Sequence, residues 1–382
     1  MKQTTCFLIV LLWSFTMFAA KIKYPGKKTF IYRYALIDKA STEFTLDQPL
    51  QFLSQKSLER RQRQGLSVDS TDLPVCKQYI RQFHRKGIHI IGTSRWQNTI
   101  LASSSDSLLL ASLDTLSIVR KSTCVFASPD SIEHPGDIRW NVHEDFNRWD
   151  SVKNDPYGMA RQQIETLEGI FLHEMGYRGK GITIAVLDGG FQNYKRIPAF
   201  KRTNILGTHD FIKPREDKKY GAFESIDHGT KVLSAMAAYA PEFTIGTAPE
   251  ASYWLLRCED PLTEQPVEED YWTMAVEMAD SLGADIINSS LGYYAIARGR
   301  RTYILYTFHT INGLLQRHNH TLLHGISTGT RVLCSHLHHW WRNVRKLLHR
   351  QISESDGSHQ CYDDCECNRQ YRTVDENLAL HA

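Results

Sequence analysis

Two short stretches of this 382-residue chain hold residue types that can move a proton. In the first, the apolar run Ile182-Thr183-Ile184-Ala185-Val186-Leu187 leads into Asp188-Gly189-Gly190. A continuous apolar run suits a strand buried on both faces. Such a strand delivers its terminal carboxylate to the carboxyl end of an open α/β sheet, where these sheets place their sites, and the glycines let the chain turn sharply there. An aspartate in this position also suits a plain turn. The second stretch is Asp227-His228-Gly229-Thr230-Lys231-Val232-Leu233-Ser234-Ala235-Met236-Ala237-Ala238. Here a histidine opens a helix of glycine and small residues, which can pack tightly and hold an imidazole in one place. A lone histidine at a helix start is ordinarily a surface group. Its pairing with the aspartate motif about forty residues upstream changes that reading.

The elements needed to position these groups are legible around them. From Tyr157 the pattern alternates between strand and helix, with strands at 182–187, 251–257 and 285–288 and helices at 231–239 and 272–282. This alternation predicts an α/β fold with a doubly wound parallel sheet. Residues 21–130 read differently, as a small α+β region. It has strands at 30–37, 88–92 and 99–102, a helix at 49–64 with a basic end (Arg60, Arg61, Arg63) closed by Gly65, and a helical stretch at 107–113. Residues 131–156 are polar and read as a linker.

Together, and in this order, the two motifs resemble the subtilisin-like serine protease family. Gly246-Thr247-Ala248-Pro249-Glu250-Ala251 before a strand resembles a third motif of that family. Ala284-Asp285-Ile286-Ile287-Asn288-Ser289-Ser290-Leu291-Gly292 resembles its substrate-binding strand. The resemblance runs from about Tyr157 to Gly292, so it implies the N-terminal half of the subtilisin-like domain at 157–295. By this resemblance Asp188 orients His228, and His228 is the general base for a serine nucleophile. Ser289, Ser290, Leu291 and Gly292 would offer an exposed backbone edge to an extended peptide. Residues 21–130 resemble the pro-region of bacterial members, through Pro49–Ser54 and Thr71–Val75, and imply a folding aid and inhibitor docked on that edge. Gly189, Lys231 and Ser234 depart from the commoner family residues, but none of them replaces a reacting group.

The character changes near residue 295. Residues 296–382 hold ten Arg and one Lys against sixteen and eighteen upstream, together with ten of the 17 His and four of the eight Cys. Strand–helix alternation stops, and the tail reads as out of frame and unable to build further strands. The family's oxyanion asparagine, on an apolar strand ending Ala-Gly-Asn, finds no counterpart there, nor does its Gly-Thr-Ser nucleophile. Gly325-Ile326-Ser327-Thr328-Gly329 is the nearest mimic, but it lacks the small-residue helix that should follow. The chain as written is therefore expected to be inactive. A catalytically inert peptide-binding relative is the alternative, and a metal- or nucleic-acid-binding protein built on the tail is a more distant one. Cys361, Cys365 and Cys367 match no common zinc spacing, and the basic run at 342–350 follows Trp340 and Trp341.

The remaining features bound the setting. Lys2, an apolar run at 7–18 and Ala19-Ala20 predict a signal peptide at 1–20. That implies a secreted, periplasmic or cell-envelope protein that meets a membrane only during export. A net charge of +3 gives no argument for nucleic acid. Cys76, Cys124 and Cys258 are too few and too far apart for a disulfide framework. A peptide or protein substrate is the expected partner. No cofactor is called for, and structural calcium is not assignable from the sequence.

Overall fold

The computed structural model describes residues 21–133, 154–212, 223–263 and 265–290, with the backbone of short strands at 295–297, 300–302 and 321–324. The chain divides into two compact units, Met1–Ser327 and Thr328–Ala382. The second lies outside the described residues, as do the expected signal peptide, most of the expected linker, and Ser327 itself.

The amino-terminal elements are β1 (Lys21–Lys23), β2 (Phe30–Leu36), α1 (Gln55–Gln64), α2 (Lys77–Arg85), β3 (His89–Ser94), β4 (Thr99–Ser104), α3 (Ser107–Ser112), β5 (Val119–Ala127) and β6 (Ser131–Glu133). Four of the strands form an antiparallel sheet in the order β3-β4-β2-β5, and β1 pairs separately with β6. One face of this sheet packs Tyr34, Ile100 and Ala102 against Phe83 of α2 and Leu110 of α3. The buried Tyr34 hydroxyl donates to the Leu110 carbonyl at 2.8 Å.

Helix α1 starts later than its composition suggests. Residues Pro49–Gln51 form a separate 3-10 turn. Ser54 then caps the helix by accepting from the Ser57 N–H, and Gly65 closes it in the left-handed region at φ 69°. Helix α2 and strand β5 have no counterpart in the sequence reading. In α2 only Tyr79 and Phe83 are buried, four residues apart, which is too thin a stripe to stand out.

The second region contains α4 (Arg161–Thr166), α5 (Gly169–Glu174), β7 (Thr183–Asp188), β8 (Asn204–Asp210), α6 (His228–Ala237), β9 (Tyr239–Ala240), β10 (Thr244–Ile245), β11 (Ser252–Arg257), α7 (Val267–Ser281), β12 (Ile286–Ser289), β13 (Ala295–Ala297), β14 (Arg300–Thr302) and β15 (Thr321–His324). Its five-stranded sheet has the order β15-β12-β7-β11-β8, and every pairing in it is parallel. This is the expected α/β architecture. All six residues of the central strand β7 are buried, as its unbroken apolar run demands.

The expectation that residues beyond 296 add no strand does not hold. Thr321-Leu322-Leu323-His324 pairs in parallel with β12, from Ile286↔Thr321 to Ser289↔His324. Four residues satisfy a ladder without the longer alternation that a sequence search looks for. Edge strand β8 was also missed, because its burial alternates between exposed and half-buried and leaves little apolar signal.

Helix α7 lies between the two sheets and closes a shared core. Its Tyr271, Trp272, Ala275 and Val276 cluster with Ala185 and Leu187 of β7, with Trp96 of the β3–β4 turn, and with Leu101 and Phe126 of the amino-terminal sheet. The amino-terminal region therefore docks on α7, whereas Leu291 and Gly292 of the expected peptide-binding edge lie outside the described residues. The basic end of α1 serves this contact. Arg60 and Arg61 are buried, and their Nη2 groups donate to Asp280 Oδ1 at 2.5 Å and Oδ2 at 2.7 Å. Arg95 adds a third donor to Asp280 at 2.8 Å, while Arg61 also forks onto Asp72 at 2.9 and 3.1 Å. Glu277 accepts from Ser94 Oγ and from the Arg95 and Trp96 N–H groups at the β3–β4 turn.

Candidate active site

Asp188 is the last residue of β7 and its carboxylate is fully buried. His228 is the first residue of α6, at the same end of the sheet, and its side chain is 53% exposed. The imidazole Nδ1–H donates to Asp188 Oδ1 at 2.9 Å and Oδ2 at 3.0 Å. Asp188 Oδ1 also accepts from the Gly189 N–H at 2.7 Å. Nε2 has no hydrogen-bond partner among the described residues.

The approach of helix to strand depends on the residue after the histidine. A Cβ on Gly229 would lie 2.6 Å from the Gly190 carbonyl oxygen and 2.9 Å from Asp188 Cβ. Without a side chain there, the Gly229 N–H donates to the Gly190 carbonyl at 2.9 Å. Thr230 Oγ1 donates to the Gln192 carbonyl at 2.8 Å, and the N–H groups of Phe191 and Gln192 are bonded to Phe223 and Ile226. The far end of α6 is held by the 246–248 segment, whose N–H groups donate to the carbonyls of Ala238, Ala235 and Met236. The Gly246–Ala251 motif thus caps the helix that carries the histidine.

The pair's electrostatics follow from this geometry. Burial pushes the Asp188 carboxyl up, against the pull of the imidazole and the Gly189 and Gly190 N–H groups. The hydrogen bond to Asp188 raises the His228 imidazole above its ordinary value, against partial burial and the Lys231 cation. A neutral imidazole with Nδ1–H tied to a carboxylate presents Nε2 as the basic nitrogen, the arrangement a general base needs.

One contributor to the site was not anticipated. Arg257, the last residue of β11 and the register partner of Asp188, is fully buried. Its Nε donates to the Gly189 carbonyl at 2.8 Å and its Nη1 to Asp210 Oδ2 at 3.0 Å. The available signal was a charged residue closing the run Ser252–Leu256, which reads as an ordinary strand end.

Ser289 lies inside the sheet, paired with Leu187 on one side and His324 on the other, so it offers no free backbone edge. Its hydroxyl is buried and accepts from Trp272 Nε1 at 2.8 Å. Ser290 follows the ladder, its Oγ accepting from Asn288 Nδ2 at 3.1 Å. Leu291 and Gly292 lie outside the described residues, as do Cys361, Cys365, Cys367 and the 342–350 run. Among the described residues no cluster of three or more His, Cys, Asp or Glu side chains could hold a metal ion. No described helix is long and apolar enough to cross a membrane.

Comparison with known proteins matches residues 31–137 to a Bacteroidota "Peptidase S8 propeptide domain" and residues 179–331 to the "Subtilase family". The second match extends the resemblance past Gly292, to include β15. Subtilisin E of Bacillus subtilis is 28% identical over 153 residues, covering 40% of this chain and 36% of that protein. The minor extracellular protease Vpr of the same species is 34% identical over 125 residues, 31% of this chain and 15% of that one. The epidermin leader peptide processing serine protease of Staphylococcus aureus superposes with a TM-score of 0.41 at 12% identity, over 77% of this chain and 57% of that one. The chain spans about a third of the length of subtilisin E, at 36%. With a propeptide match upstream of a subtilase match and subtilisins among its relatives, the chain belongs to the subtilisin-like serine protease family, pro-region included.

Proposed function

We propose that the chain is the precursor of a secreted serine endopeptidase of subtilisin type. In this reading Asp188 orients His228 and stabilises its imidazolium, and His228 accepts the proton of a serine nucleophile through Nε2. The observation that carries it is the hydrogen bond from His228 Nδ1 to a fully buried Asp188 at the carboxyl end of a parallel sheet, with Nε2 left open. Ser290, Leu291 and Gly292 hold an extended peptide beyond the end of β12, outside the part of the strand that both neighbours occupy. Residues 21–130 act as the pro-region, 131–156 as a linker to the domain beginning at 157, and 1–20 as the export signal. The mature protein works outside the cytoplasm or in the cell envelope on peptides or proteins.

Residues 1–382 contain neither the family's nucleophile motif nor its oxyanion asparagine. A base has no use without the group whose proton it takes. This chain by itself is therefore expected to hydrolyse no peptide and to take up no fluorophosphonate probe. The coding DNA, translated in all frames past residue 295, should reveal a continuation carrying both motifs, and the restored product should gain labelling and proteolysis. Labelling of the present chain at Ser327 would refute the assignment. A restored product that labels at no serine would establish the alternative, an inert peptide-binding relative.

A further inference from the structure

We propose that Arg257 is a positioning residue for the Asp188–His228 pair: its guanidinium ties the Gly189 carbonyl to Asp210 and so fixes the turn that presents the Asp188 carboxylate to the imidazole. This rests on reading Asp188 and His228 as the orienting acid and the base.

The turn after β7 has two sides. On one, helix α6 and the 223–226 segment grip Gly190, Phe191 and Gln192 through four hydrogen bonds. Gly189 is different: its N–H turns inward to Asp188 Oδ1 at 2.7 Å, and its carbonyl is taken by Arg257 Nε at 2.8 Å. The peptide unit that donates to the catalytic carboxylate is thus followed directly by a carbonyl pinned from the neighbouring strand. Burying a guanidinium completely is costly unless its donors are met. Pairing with Asp210 alone would partly meet that cost on the outer side of β11, beside β8. The Nε contact instead aims the side chain across β11 at the Asp188 turn. A planar fork can serve a carbonyl and a carboxylate at once, whereas a lysine ammonium carries the same charge without that geometry.

The test uses the whole chain. The imidazole titration of His228 is followed by NMR in the wild type, R257K and D188N, alongside thermal unfolding. The charged groups around His228 are Asp188 from β7, Asp227 just before its helix and Lys231 within it, and R257K changes none of them. D188N should lower the His228 pKa, since it removes the adjacent carboxylate that raises it. R257K should lower it by about half as much, because a loosened turn holds the carboxylate less well. A destabilised R257K whose His228 titrates as in the wild type would make Arg257 structural only and overturn the proposal. An unchanged D188N titration would instead overturn the reading of the pair. Should R257K not fold, D210N weakens one arm of the clamp by removing the charge of a partly exposed carboxylate. In about 0.5 M salt, where distant charges are screened, it should give a smaller fall of the same sign, and no fall would again refute the role of Arg257.

Discussion

Two buried aspartates in this molecule face opposite demands. Asp280 of α7 is shared by Arg60, Arg61 and Arg95, all at 2.5–2.8 Å and all buried. Asp188 of β7 is just as buried, but its one side-chain partner is a half-exposed histidine. Arginine keeps its charge across the accessible pH range, so the first cluster is fixed. Histidine changes charge near neutrality, so the second can pass a proton. Burial alone therefore does not mark an aspartate as functional. What separates the two is whether its partner can titrate and whether that partner reaches solvent.

The largest test of this contrast is D280N. It leaves three buried guanidinium groups around an uncharged amide and should cost about 3–5 kcal/mol of stability, read by denaturant unfolding. A loss under about 1 kcal/mol would mean that water reaches the cluster and that the two sites are less different than they look.

Gly229→Ala attacks the other site through sterics. The new methyl meets the Gly190 carbonyl and Asp188 Cβ, so helix and strand must separate at a cost of about 2 kcal/mol. The raised titration of His228 should fall at the same time. A full loss of stability with an unshifted imidazole would show that the pair tolerates the displacement.

The pH dependence sharpens the comparison further. The folded imidazole titrates above its ordinary 6.5, so its pairing with Asp188 stabilises fully below that value. This contribution is lost as pH rises through the higher folded pKa. Because His228 is half exposed, the amount is about half a kcal/mol or less. It should disappear in D188N.

The smallest effect belongs to Lys231→Ala, which removes an exposed pair with Asp227 one helical turn away. About 0.3–0.5 kcal/mol should be lost, and His228 should titrate slightly higher without the neighbouring cation. A fall in its pKa would mean that Lys231 orients the helix start.

Much of the site was legible because its signals are local. The β7 run needs only apolar residues in sequence, and Asp188 sits at its end. His228-Gly229-Thr230 marks its helix by small residues that nothing else in the chain repeats. Strand β15 was not legible, because four residues in a tail of altered composition carry no period long enough to read. The partners of Arg60 and Arg61 were equally hidden, since a basic helix end usually meets water and Asp280 lies more than 200 residues away.

By itself the sequence determined the parallel α/β class of the second region and the small α+β class of the first, and it marked Asp188 and His228 as the candidate acid and base. These follow from hydrophobic period and from residue chemistry, which are properties of neighbours along the chain. Only the tertiary structure decided that the amino-terminal region docks on α7, that Ser289 is enclosed between β7 and β15, and that Arg257 grips the turn beside Asp188. Each of these depends on which strands become neighbours in the sheet, and that is settled by long-range burial and charge pairing between residues far apart in the chain.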